Sequence, residues 1–223
     1  MYRPIPLRVR IAQACSVLVL LLSYQLSSLL PAEWAWEDGL IENAQVAVLL
    51  VGCLWAGFVA LRRRGMPVAT LALSAAPVWA VLVGRELSWG AVFFAPVGFD
   101  QAQPVYSSHE LWYKPAVAPV ILLMLAWSLS NAWRHRVDRL LRMIGAGCHR
   151  ATFQIVLAVV AAVLSTGAEG HFALGLHLDA PRAEVWEELL ELYAYSALVC
   201  AQFLALHRLQ ALPAVPIPAA PAA

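Results

Sequence analysis

Charge is what this sequence is short of. Its 223 residues include 15 Lys and Arg and 14 Asp and Glu, 13% in all, where a soluble domain carries about 25%. With 61% hydrophobic residues, a soluble fold of this length has too little interior to hide its apolar surface. An ordinary cytosolic enzyme and a nucleic-acid binder are therefore excluded. The same apolar content excludes a disordered chain, except at the C-terminus. Cysteine is scarce as well: Cys15, Cys53, Cys148 and Cys200 form no C-x-x-C, and none falls on the side read below as external. A disulfide framework or thiol redox role is not expected. Neither H-E-x-x-H, G-x-S-x-G nor a rhomboid-like G-x-S-G occurs, so the local signatures of zinc and serine hydrolysis are absent.

Long apolar stretches are what the sequence has. Six of them, at about 11–31, 40–61, 66–85 (with an extension to about 95 left open), 115–133, 152–169 and 184–206, reach the ~20 residues a helix needs to cross a bilayer. The first is too long for a signal-peptide core, and no A-x-A-like site closes it, so it is read as a retained helix. The expected fold is all-α: a polytopic membrane bundle of six transmembrane helices over 1–211. The Pro/Ala-rich tail 212–223 is expected to be disordered, since such a composition forms neither helix nor core.

The few charges are sorted. Arg3, Arg8, Arg10, Arg62, Arg63, Arg64, Arg134, Arg136, Arg139, Arg142, Arg150 and Arg208 fall on one side of the six spans, with Asp138 as that side's single acid. The positive-inside rule makes that side, and with it both termini, cytoplasmic, as in a bacterial inner (plasma) membrane. The other thirteen acids lie opposite, with Arg85, Lys114 and Arg182. Trp34, Trp36, Trp89, Tyr106, Trp112, Tyr113 and Trp186 sit near the outer boundary as interfacial anchors, and Trp133 and Phe153 near the inner one. Within the cytoplasmic stretch 134–150, Val137, Leu140, Leu141 and Ile144 recur at helical spacing, flanked by Arg136, Arg139 and Arg142. That pattern predicts an interfacial amphipathic helix touching anionic lipid through 134–144.

Candidate chemistry gathers at the outer ends. Glu184, Glu187, Glu188 and Glu191 form one stripe at i, i+3, i+4, i+7, and Tyr195 continues it. Like charges so spaced repel, so a cation or a basic partner such as Arg85 is expected. The plain alternative is a solvated first turn, favoured by the helix dipole. Glu191 lies deeper, where an ionisable side chain is usually functional. The candidate catalytic set is Glu86, His109 and Glu191. Arg85, Glu42 and Tyr195 are candidate substrate-binding residues, with Arg85 a clamp for an anionic group. His171 and His177, six residues apart beside Gly170 and Gly175, do not share a helix face. They could join Glu86, Glu191 or His109 only across helices, as ligands to a divalent metal such as zinc. Ser107-x-x-Glu110 also reads as a capping box.

Two stretches resemble a family. Glu37-Asp38-Gly39-x-x-Glu42 opens one span, and Glu86-x-Ser88-Trp89-Gly90 closes the next. Together they are similar to a group of uncharacterised bacterial multi-spanning membrane proteins sharing E-D-G-x-x-E and a G-E-E-x-S-W-G-Q-like segment. Here Arg85 stands for the first Glu of that segment and Ala91 for the Gln. The resemblance implies a multi-span bundle and no particular reaction. The plan is also distantly similar to alkaline-ceramidase-like membrane hydrolases, without their H-x-x-x-H. Three functions stay open. A non-catalytic assembly or scaffold role is favoured, ahead of a membrane-embedded, metal-dependent hydrolase of a lipid or other membrane substrate, and of a small transporter. Against transport, the inner half lacks acids and no internal repeat is visible.

Overall fold

The computed structural model describes residues 6–100, 103–170 and 179–211. Among them are seven α-helices and one hairpin: α1 (Leu7–Leu26), α2 (Leu40–Arg62), α3 (Pro67–Glu86), β1 (Gly98–Asp100), β2 (Gln103–Val105), α4 (Lys114–Arg134), α5 (Val137–Gly147), α6 (His149–Ala168) and α7 (Ala180–Gln210). Every helix except α5 is long and apolar enough to cross a membrane. Among the described residues the architecture is all-helical, with six helices long and apolar enough to span a membrane.

Helix ends depart from hydropathy where hydrogen bonding decides them. The first helix starts four residues before the expected span because Arg8 and Arg10 belong to its opening turn, and polarity there does not interrupt the backbone ladder. It stops at Leu26. Near that end the hydroxyls of Ser23, Ser27 and Ser28 donate back to the carbonyls of Leu20, Tyr24 and Gln25, which competes with the ladder. Pro67 occupies the first turn of α3, where its missing N–H costs nothing. That helix does not run on towards residue 95. It ends at Glu86, and Ser88, Trp89 and Gly90 turn left-handed at φ 44°, 55° and 95°. At 31 residues α7 rises about 46 Å, well over the ~30 Å hydrocarbon core.

The central element is α7. It packs against α6, α2 and α1, while α3 lies on α2 and α4 lies on α3. Val59, Val68, Ile144, Ala151 and Leu206 form a core at the Arg-rich end, and Ala35, Ile41 and Val185 one at the acidic end. The residue order within these clusters makes α2 and α7 run parallel, with α3 and α6 reversed. In the middle, Leu49, Ala56, Trp79, Tyr195 and Val199 fill one side of α7; Leu20, Leu157, Ala161, Trp186 and Leu190 fill the other.

Helices in lipid gain nothing from apolarity alone and associate through close packing and polar contacts. Both occur here. A Cβ on Gly52 would lie 3.0 Å from Val199 and 3.1 Å from the Trp79 ring, so glycine admits both neighbours. The Trp79 indole donates to Gln202 Oε1 at 2.5 Å, and Gln202 Nε2 donates to the Gly52 carbonyl at 2.9 Å. Ser128 donates to the Ser74 carbonyl, and Asn131 Nδ2 to Ser74 Oγ at 2.8 Å. These bonds hold α4, whose Leu122, Leu123 and Leu129 stay exposed.

The amphipathic helix expected at the basic end is α5, and its apolar stripe is divided. Val137 and Ile144 are buried and Leu140 packs into the core of the Arg-rich end, while Leu141 and Met143 face outward. Asp138 pairs with Arg136 at 3.3 Å and Arg142 at 2.5 Å. Desolvation pushes the Asp138 carboxyl up, but those two guanidinium groups, Arg142 first, together outweigh it and hold the carboxyl below its ordinary value.

Candidate functional site at the acidic end

Residues 37–43 fold into a cap for α2. Asp38 is left-handed at φ 63°, a conformation Asp tolerates better than most residues. Gly39, the N-cap, lies so close to the preceding turn that a Cβ would meet the carbonyl oxygens of Trp36 and Trp34 at 2.5 and 2.7 Å. Glu42, three residues into the helix, reaches back and accepts from the N–H of Asp38, the residue before the N-cap, a variation on the capping box in which the N-cap N–H is the donor. Asn43 Nδ2 donates to the carbonyls of Asp38 and Gly39 at 3.0 and 2.9 Å. Glu42 and Gly39 are thereby used in starting a helix.

Glu37 reaches further. One carboxylate oxygen accepts from Ser88 Oγ at 2.7 Å and the other from the Tyr106 N–H at 3.2 Å. The two motif-like stretches of the sequence are therefore in contact, and Glu37 ties both to Tyr106, just after the hairpin in the α3–α4 connection. The Tyr106 phenol is pushed above its ordinary value by partial burial, then by Asp38, Glu37 and Glu42.

Three successive left-handed residues at Ser88–Gly90 are costly, of order 1–3 kcal/mol for each non-glycine. The surroundings hold them. The Trp89 ring folds back over Gly84, where a Cβ would come within 2.6 Å of it. The Tyr113 hydroxyl donates to the Trp89 carbonyl at 2.9 Å. Hidden in the sequence as a G-x-x-x-x-W-G spacing, this fold-back aims Arg85 and Glu86 at α7.

There Arg85 meets the stripe. Its Nη1 donates to Tyr195 Oη at 2.6 Å and to Glu86 Oε1 at 3.1 Å; both Nη atoms reach Glu191, at 3.2 and 3.3 Å. The Tyr195 hydroxyl donates to Glu86 Oε1 at 2.8 Å. Glu86 is buried, with 6% of its side chain exposed, Glu191 has 17%, and Arg85, the outermost, 54%. A forked guanidinium gripping one carboxylate at two points is the stronger kind of ion pair. Removing one partner of such a group leaves the others uncompensated.

The remaining glutamates of the stripe have separate partners, which the periodicity could not reveal. Glu188 Oε2 accepts from Gln45 Nε2 at 2.7 Å, and Gln45 is wholly buried. Gln103 Nε2 from β2 donates to Glu184 Oε1 at 3.1 Å, fastening the hairpin over α7. Glu187 faces the carboxylate of Glu169 at the end of α6.

Of the residues singled out from sequence, Glu86, Glu191, Arg85 and Tyr195 form one hydrogen-bonded group, and Glu42 serves the cap beside it. His109 is exposed on a short turn where its N–H donates to Ser107 Oγ at 3.3 Å; no recorded hydrogen bond among the described residues joins it to that group. His171 and His177 lie outside the described residues, as does the tail 212–223. Among the described residues no three His, Cys, Asp or Glu are arranged to hold a metal ion, so they do not by themselves fit the zinc site considered above. Glu37, Gln45 and Gln103 are participants that the sequence reading left out of the site. The only signal for Glu37 was its place in the E-D-G-x-x-E stretch, and for Gln45 an amide one turn beyond it. No protein-family model, curated protein or solved structure matches this chain.

Proposed function

We propose that the protein is a non-catalytic assembly factor of a bacterial inner membrane, with both termini cytoplasmic and the acidic end outside. Sidedness follows from the twelve arginines gathered at the other end. One observation carries the functional reading: Glu37 holds Ser88 and Tyr106 together, pinning the α3–α4 connection that displays Phe94 and Trp112, 59% and 89% exposed. Large apolar side chains left exposed on a braced connection suit a protein contact. The ionisable residues beneath favour the same reading, since Arg85, Glu86, Glu191 and Tyr195 are engaged with one another as a brace between α3 and α7.

The test is site-specific photo-cross-linking in intact membranes. A photoreactive residue at Phe94 or Trp112 should give a discrete protein adduct, and one at Leu54, exposed on the middle of α2, should give lipid adducts. Glu37→Ala should abolish the protein adduct while the bundle stays folded. Lipid adducts alone from all three positions would overturn the assembly role.

A further inference from the structure

A cavity of about 430 Å³ opens at the Arg-rich end between α2 and α7, lined by Trp55, Phe58, Val59, Arg62, Arg63 and Gln210. It is remote from the acidic end and no part of the brace. Its walls are of two kinds. One wall is aromatic: Trp55 stacks on Phe203 with centroids 4.8 Å apart and on Phe58 at 5.6 Å. The mouth is cationic. The Arg62 guanidinium sits 5.5 Å above the Phe58 ring, a cation–π contact that orients it without neutralising it.

Neither Arg62 nor Arg63 has a carboxylate partner among the described residues. Asp138, the acid of this end, is paired with Arg136 and Arg142. The carbonyls that end α2 disfavour an anion by about half a charge; two whole positive charges outweigh them. Trp55 to Arg62 is two turns of helix, about 10 Å of rise. The cavity thus runs from guanidinium to indole over the distance that separates a lipid phosphate from the upper part of its acyl chains. An inorganic anion would fill only a small part of that volume. The Trp55 indole N–H is buried and has no acceptor among the described residues; a glycerol ester carbonyl is the acceptor that such a lipid brings between its phosphate and its chains.

We propose that this cavity is a binding site for an anionic glycerophospholipid, its phosphate on Arg62 and Arg63 and its proximal acyl chain against Trp55 and Phe58. The site differs from the α5 surface, where two of the arginines are already paired. It joins lipid to the α2–α7 contact at the heart of the bundle, so occupancy stabilises the fold by mass action.

Native mass spectrometry of the full chain in detergent tests this, with phosphatidylglycerol and phosphatidylcholine as probes. Wild type should retain one phosphatidylglycerol in preference to phosphatidylcholine. The double variant Arg62→Gln/Arg63→Gln should bind it more weakly by on the order of tenfold or more, at roughly 1 kcal/mol for each interfacial arginine. Both side chains are exposed, so the variant folds, and a lipid-free thermal melt verifies it. Arg62→Lys/Arg63→Lys should restore most of the affinity, and Arg139→Gln/Arg150→Gln should leave it within about twofold of wild type. Three results would overturn the site: equal binding by the Gln variant, equal weakening by Arg139→Gln/Arg150→Gln, or displacement of the lipid by inorganic phosphate.

Discussion

Glycine supplies the clearest contrast between two positions of one helix region. At Gly39 a side chain would collide with two backbone oxygens, whereas at Gly57, inside α2, an added Cβ meets no atom within 4 Å. Gly39→Ala should therefore destabilise the protein by about 1–3 kcal/mol, and Gly57→Ala should be neutral or stabilise by up to ~1 kcal/mol through helix propensity. Thermal melts of the two variants in one detergent decide it; equal melting would mean that the 37–43 cap does not close as described. Arg85 supports a second residue-level expectation. In a double-mutant cycle Arg85→Ala and Glu191→Gln should couple by about 1–3 kcal/mol, the range for hydrogen bonds to charged groups, and Arg85→Lys should recover only part because an ammonium cannot grip at two points. A coupling near zero would make Arg85 a solvated side chain. The site was legible in sequence up to its composition: Glu86, Arg85, Glu191 and Tyr195 stand out because ionisable groups at span depth need compensation. Glu42 stands out for the same reason, yet its carboxylate serves a backbone N–H. Motif-like spacing alone does not separate a cap from a reactive group.

Among the elements, α5 shows how one periodic stripe can serve two surroundings. Ile144 is 5% exposed and Leu141 52%, although both lie on the face that helical spacing predicts. Ile144→Ala should cost about 2–5 kcal/mol, as for a large residue truncated in a packed core, and Leu141→Ala about 0.5 kcal/mol or less. Comparable losses measured by thermal unfolding would mean that α5 lies on the bundle by its whole stripe. The end of α3 is the other lesson at this scale. Hydropathy remains high past Glu86, and nothing in composition forbids more helix. The chain turns because Gly90 can take φ 95° and because Glu37 and Tyr113, both distant in sequence, bond the residues that turn with it.

For the whole molecule, the sorting of charge yields a prediction that any topology must meet. In a cysteine-free background, Asp179→Cys should react with an impermeant thiol reagent added outside intact cells, and Arg63→Cys and Arg139→Cys only after the membrane is opened. Labelling of Arg63→Cys from outside would reverse the orientation. The number of spans, their approximate limits and the separation of acidic from basic ends are properties of local sequence, since length, apolarity and charge are each summed over adjacent residues. Rotation and partnership are different. Helical spacing tells that Glu184, Glu187, Glu188 and Glu191 share a face; the tertiary structure alone sends them to a hairpin, another helix end, a buried amide and a guanidinium. Those partners lie far away along the chain, 106 residues from Arg85 to Glu191 and 143 from Gln45 to Glu188. In lipid the reason is sharper than in water: hydrocarbon solvates a leucine face as well as another helix does, so apolar periodicity leaves each span free to rotate until its few polar side chains and close-packing glycines find their complements.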